Sequence, residues 1–186
     1  MSGATQRPLS GGLRLVHLFR QRLFVCGFEE RAEYRSRQIT HLVSVTNPGT
    51  TLSKPGWFDG TQLDLWFGDV VSETDARNCR TIAPTTEDIR RAIEFFRGAW
   101  IVVNSKVLVS CNYGASRSPA LAYLFIADQL GPGREAEAFG LMLDIRPDAV
   151  PNGLIIRLGD AFLRRQGAVV QPLKDLHAKL NKELFK

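Results

Sequence analysis

Cys111 and Arg117 have five residues between them in the run Val107-Leu108-Val109-Ser110-Cys111-Asn112-Tyr113-Gly114-Ala115-Ser116-Arg117-Ser118-Pro119. The apolar residues before the cysteine read as a buried strand. Pro119 suits the first turn of a helix, where no intrahelical N–H is needed. A loop of this length can curl its backbone N–H groups around one tetrahedral oxyanion, with the positive end of the following helix aimed at the same point. Gly114 permits the positive φ that such a curl requires. The same field favours thiolate over thiol, which would make Cys111 a nucleophile. Arg117 can then hold two oxygens of the anion with its planar fork. A cation on the first turn of a helix is unfavourable unless an anion binds there, which separates this pattern from an inert thiol beside a surface arginine.

Positioning such a loop takes a sheet and helices, and the chain supplies both. Strands are expected at 23–26, 39–46, 63–67 and 106–110, and helices at 29–37, 118–130, 135–145 and 151–165. A further helix begins after Thr85, where Thr85-Thr86-Glu87-Asp88 has capping-box form with Asp in place of Glu. Asn47-Pro48-Gly49 is a turn. The polar segment 68–84, with Asp69, Glu73 and Asp75, reads as a long functional loop. Strands alternating with helices, then a helical second half, give an α/β fold with a central, mostly parallel sheet flanked by helices. The expected organisation is a flexible N-terminal arm over 1–20, one catalytic domain over 21–167, and a tail over 168–186. Leu173, Leu176, Leu180 and Leu184 give that tail helical spacing.

Composition narrows the partners. The 186 residues carry 24 Lys and Arg against 19 Asp and Glu, a net charge of +5, and 18 of the 24 cations are Arg. Such a balance suits an anionic partner or simply a basic, soluble surface. Only three cysteines are present, which points to a reducing, cytoplasmic setting. Cys26 is either a plain buried thiol or a partner able to trap an oxidised Cys111 as a disulfide. No apolar run is long enough to cross a membrane, and no membrane association is expected. His17, His41 and His177 are isolated, so no metal site is expected. The basic charge lacks the aromatic interleaving of a single-strand binder, so nucleic acid is not an expected partner.

The run from Cys111 to Ser118 resembles the signature loop of cysteine-dependent phosphatases, Cys-x-x-Gly-x-x-Arg-Ser/Thr. Its surroundings are similar to the small dual-specificity-type protein tyrosine phosphatases, in particular their compact bacterial members. Supporting pieces are Val25-Cys26-Gly27-Phe28-Glu29-Glu30, Ile39-Thr40-His41-Leu42-Val43-Ser44-Val45-Thr46, Leu65-Trp66-Phe67-Gly68-Asp69-Val70, and Arg146-Pro147 with Pro151-Asn152. This resemblance spans residues 22–165. It implies a dual-specificity phosphatase-like fold and phosphoryl transfer through a phosphocysteine on Cys111, without metal or other cofactor. The loop residues Asn112, Tyr113, Gly114, Ala115, Ser116 and Arg117 would bind phosphate, and Ser118 would stabilise the departing thiolate. Asp69 is the first choice for general acid, with Glu73 and Asp75 as the other candidates. The uncharged loop residues favour a monophosphate, so the implied substrate is a phosphorylated protein or a small phosphate monoester. One departure matters: the family carries His before the nucleophile, and this chain carries Ser110. A hydroxyl replaces one hydrogen bond of that ring but neither its second nitrogen nor any positive charge, so the expectation is less thiolate and a slower enzyme. A phosphate-binding pseudophosphatase of the same fold is therefore an alternative. A rhodanese-like sulfurtransferase or arsenate reductase is another.

Overall fold

The computed structural model describes residues 11–51 and 53–184. Residues 1–10 of the expected arm and 185–186 of the tail lie outside the described residues. Four strands, β1 (Leu23–Gly27), β2 (His41–Thr46), β3 (Thr61–Trp66) and β4 (Val107–Cys111), form one sheet in the order β1-β4-β2-β3. Every pair is parallel. The strand that ends in Cys111 therefore lies between two others, with Ser110 in register with Cys26 on one side and Ser44 on the other. Parallel strands need crossovers and covered faces, which the α/β expectation supplied.

Seven α-helices are described: α1 (Gly11–Arg22), α2 (Glu73–Asn78), α3 (Thr86–Ile101), α4 (Arg117–Leu130), α5 (Glu135–Ile145), α6 (Gly153–Leu163) and α7 (Gln171–Leu184). The main core joins Val25, Val43, Val45, Val107 and Val109 of the sheet to α3, α4, α5 and α6. Helix α4 is buried almost all round, so it needs no amphipathic stripe. The side chain of Leu124 leaves no room for a Cβ at Gly159, which lets α6 press close to α4. On the other sheet face Cys26, Leu42 and Leu108 pack with Ile39 and Phe58 in a smaller cluster.

Three local expectations change. The segment 29–37 is a 3-10 helix, Glu29–Arg37, closed by Gln38 in the left-handed region at φ 57°. The polar segment 68–84 is not one loop, because it contains α2, capped where Ser72 Oγ accepts the Asp75 N–H. Within the expected arm, Phe19 of α1 is fully buried, stacked on Trp100 at 4.8 Å and edge-on to Phe125 at 6.0 Å. Around Thr85 the capping box forms as expected, with the Thr85 and Asp88 side chains and backbones reciprocally bonded. No helix among the described residues is long and apolar enough to cross a membrane.

Candidate active site

The chain leaves β4 at Cys111, curls through residues 112–116 and enters α4 at Arg117. Gly114 sits at the crest with φ 68°. A Cβ there would lie 2.5 Å from the Cys26 carbonyl carbon and 2.6 Å from the Gly27 nitrogen, so the loop rests directly on the backbone of β1. The loop's carbonyls are turned outward and held. Asn112 O accepts from the Phe28 N–H, Ala115 O from Val150, and Ser116 O from Ala120 and Asn152. Tyr113 O accepts from Arg146 Nη2 at 3.0 Å. In a trans peptide the N–H points opposite to the C=O, so the amides that follow these carbonyls face into the curl. Among the described residues, none of the amides of Tyr113 to Ser116 donates to another backbone carbonyl. Inward-facing amides at the N-terminus of a buried helix form a nest, a geometry that can hold an anion.

Cys111 is 2% exposed and free, and Ser118 Oγ donates to its Sγ at 3.1 Å. Arg117, also 2% exposed, is fixed by one nitrogen, Nη1, which donates to Asn47 Oδ1 at 2.8 Å and to Phe67 O at 2.9 Å. Its Nε is buried without a hydrogen-bond partner and faces Asp69 Oδ2 at 3.7 Å. Asp69 in turn is held through Oδ1, which accepts from Ser116 Oγ at 2.7 Å and Asn152 Nδ2 at 2.8 Å. Asn152 caps α6 with its other atom, Oδ1, accepting from the N–H groups of Leu154 and Ile155. A cleft of about 460 Å³ opens over this group between Asn112, Asp69, Arg117 and Arg80.

The structure thus brings Cys111, Arg117, Ser118 and Asp69 together with the loop residues 112–116. Glu73 and Asp75 lie on α2 instead. Tyr113, 81% exposed, stands at the rim. Four further residues, to which the sequence reading gave no role at the site, contribute to it. Asn47 comes from the turn after β2, Asn152 joins a cap to Asp69, Arg80 adds a cation to the cleft wall, and Arg31 reaches the loop from below. Arg31 is 5% exposed and donates to Ser110 Oγ from Nε at 3.0 Å and from Nη2 at 2.6 Å. Cys26 shares that lower face, whereas Cys111 belongs to the main core on the opposite one. Burial pushes the Cys26 thiol up to about 12, so it stays protonated. Among the described residues no cluster of three His, Cys, Asp or Glu side chains could hold a metal ion.

No protein-family model matches the sequence, and no curated protein matches it significantly. Solved structures do match. The crystal structure of DUSP15 superposes with a TM-score of 0.58 at 20% identity, over 82% of this chain and 90% of the other. Human DUSP28 gives 0.56 at 20% identity, over 78% and 94%. The human tyrosine phosphatase-like serine/threonine/tyrosine-interacting protein gives 0.54 at 19% identity, over 85% and 92%. With its parallel sheet and helices in the same arrangement, the chain has the fold of the dual-specificity phosphatases.

Proposed function

We propose that the protein is a cysteine-dependent phosphatase that hydrolyses phosphate monoesters through a phosphocysteine on Cys111. The observation that carries this reading is the buried, unpartnered Nε of Arg117, held over the mouth of a nest whose floor is a Ser118-bonded thiol. A buried guanidinium nitrogen left without an acceptor is costly, and a phosphate oxygen in the nest satisfies it. With Nη1 committed to Asn47 and Phe67, Nε and Nη2 form the edge that meets two phosphate oxygens.

In the first step Cys111 Sγ attacks phosphorus in line, the S–P bond forms and the bond to the ester oxygen breaks. The leaving oxygen takes a proton from Asp69. Because Oδ1 of Asp69 already accepts two hydrogen bonds, Oδ2 is the oxygen that carries this proton. In the second step the same carboxylate accepts a proton from water as the water attacks phosphorus. The thiolate then leaves toward the Ser118 hydroxyl. Beyond Asp69 a cleft of about 440 Å³, walled by Val71, Val150 and Leu173, has room for the organic part of a phosphorylated protein or small ester. The sulfurtransferase and arsenate reductase alternatives lose support, since the solved structures named above are phosphatases or phosphatase-like.

Hydrolysis of para-nitrophenyl phosphate with EDTA present tests the reading on the native protein, Cys111→Ser and Asp69→Asn. Turnover should survive EDTA, vanish in Cys111→Ser and fall by about 10²-fold or more in Asp69→Asn. Loss in the cysteine variant alone would move the acid to Glu73 or Asp75. A native protein that hydrolyses nothing, yet melts higher with phosphate or vanadate, would be a phosphate-binding relative, the reading that Ser110 favours.

A further inference from the structure

Two clefts meet at Asp69. One opens over Asn112 and Arg117, and the other, of about 440 Å³, runs from Ser116 and Asn152 to helix α7. The second joins unlike materials. Val71, 58% exposed, and Val150, 44% exposed, stand open on its wall beside Leu173. Arg157 of α6 lines the same cavity with Lys174 and His177 of α7, and Asp69 is the only acid among its lining residues. Arg157 Nη2 donates to the Val71 carbonyl at 2.6 Å, two residues beyond Asp69. Its Nη1 lies over Gly153, 3.4 Å from where a Cβ would stand. Among the described residues, neither Arg157 nor Lys174 has an ion pair with any carboxylate. His177 adds a ring N–H donor.

The rest of α7 is not a general basic surface. Lys179 and Lys182 lie with Asp175 and Glu183 around a separate hollow, so the signs are mixed there. The helix carries three lysines against two acids, whereas recognition of an anionic membrane takes roughly four or more clustered cations. The loop residues Asn112, Tyr113, Ala115 and Ser116 are uncharged and offer nothing to a second phosphate on the same ring. Apolar walls with two permanent cations among them suit a polypeptide segment instead. An apolar side chain packs on Val71 and Val150, and a carboxylate meets Lys174 and Arg157. An extended chain advances about 3.3 Å per residue, so a residue two or three positions from the phosphorylated one lies about 7–10 Å from it, the scale of a neighbouring cleft.

We infer that the cleft between α6 and α7 is a specificity subsite, which selects phosphorylated protein segments with an acidic residue two or three positions from the phosphorylated side chain. The inference deepens the phosphatase reading and rests on it for the bond that is hydrolysed. It narrows the substrate from any monoester to an acidic phosphopeptide. Arg157 has a second duty, since it holds the backbone just beyond Asp69. Lys174 is exposed and has no such duty, which makes it the residue to change.

The test compares two phosphotyrosyl peptides of equal length, one with Glu two and three positions from the phosphotyrosine on both sides, the other with Gln there. The quantity read is the ratio of kcat/KM for the acidic peptide to that for the neutral one. In the native protein at low salt this ratio should be about fivefold, and it should fall toward one in half-molar salt as the cations are screened. Lys174→Arg should keep the ratio, Lys174→Gln should roughly halve it, and Lys174→Glu should bring it to about one or below, with the loss in KM. A merely structural role for Lys174 would lower both peptides together and leave the ratio unmoved. A native ratio near one, or a native-like ratio in Lys174→Glu, would overturn the proposal. So would a protein that hydrolyses para-nitrophenyl phosphate or vesicles bearing a phosphatidylinositol phosphate but neither peptide. Fluorescence anisotropy of the same peptides, dye-labelled, on Cys111→Ser keeps the two readings apart. If the native protein hydrolyses no phosphate ester, yet Cys111→Ser prefers the acidic peptide and loses that preference with Lys174→Glu added, the phosphatase reading falls and the subsite stands.

Discussion

Two buried guanidinium groups flank Cys111, Arg117 at the rim of the loop and Arg31 at its floor, and they are held by opposite means. At the rim the charge faces the carboxylate of Asp69, 3.7 Å away and 39% exposed on its side chain. An incoming phosphate can take over that pairing, because Asp69 has two other partners and open solvent beside it. At the floor the charge meets two hydroxyls and the face of Phe28, with no water-side exit. The rim is therefore built to exchange one anion for another, and the floor to stay as it is.

The substitution that should break both sides at once is Gly114→Ala. Its new Cβ would fall within 3 Å of three backbone atoms of Cys26 and Gly27, and its φ of 68° is unfavourable for alanine. Backbone cannot yield as a side chain can, so the loop must lift from β1. A loss of about 2–4 kcal/mol in urea unfolding, with phosphate hydrolysis abolished, is expected. Native stability in this variant would mean that the loop is not seated on β1, and the contrast between rim and floor would dissolve.

Next in size is the rim alone. Asn152 is 3% exposed and serves the N-cap of α6 through Oδ1, and both Asp69 Oδ1 and the Val70 carbonyl through Nδ2. Asn152→Ala should cost about 1–2 kcal/mol, as lost caps do, and lower turnover as well. Asn152→Asp separates the two roles. It keeps the cap acceptor but replaces a donor to Asp69 with a like charge, which disfavours the ionised form of both. Both variants lose the Nδ2 bonds to Asp69 and Val70 and fall in stability, and turnover should fall further in Asn152→Asp, where a like charge faces Asp69. Equal losses in stability and turnover for the two variants would reduce Asn152 to a cap.

The asymmetry between rim and floor also governs what could be read from the sequence. The rim was legible because its parts follow one another along the chain: a β-branched strand, a cysteine, a glycine, an arginine and a helix with proline in its first turn. Asp69 came from the resemblance, which implies an acid on the loop after a strand, and its Oδ2 lies 3.7 Å from Arg117 Nε. The floor was not legible, because Glu-Glu-Arg-Ala-Glu-Tyr-Arg-Ser-Arg is polar on every side and reads as a solvated helix. Only the parallel register, with Ser44 beside Ser110, turns one of its arginines into a core residue. Ser44 and Ser110 carried the signal, as lone hydroxyls in the runs Leu42–Val45 and Val107–Cys111 that needed a donor once buried. Helix α2 was missed for a related reason: among its six residues only Ala76 is buried, so no apolar stripe marks it. Its Ser72-Glu73-Thr74-Asp75 start has capping-box form and could have found it.

The smallest expected effect joins the two regions. Glu30 neighbours Arg31 on the 3-10 helix, yet its carboxylate serves the rim, binding Arg146, whose Nη2 also holds Tyr113 O. The Arg146 guanidinium, helped by the Gly27 N–H, holds the Glu30 carboxyl below the ordinary glutamate value of 4.5, against the opposing pull of burial. A lowered folded value means stability that is present above the unfolded value and lost as pH falls through the folded one. The pair is partly open to solvent, so its worth is less than about 1 kcal/mol. Glu30→Gln should therefore melt slightly below the native protein at pH 7, and the gap should close between about pH 5 and pH 3 as the native carboxyl takes up its proton. Molar salt should narrow the gap at pH 7 as well, since an exposed pair is screened. If the gap instead persists to pH 3, Glu30 acts through its shape and its bond to Gly27. The 3-10 helix would then bind the floor by charge and the rim by packing alone.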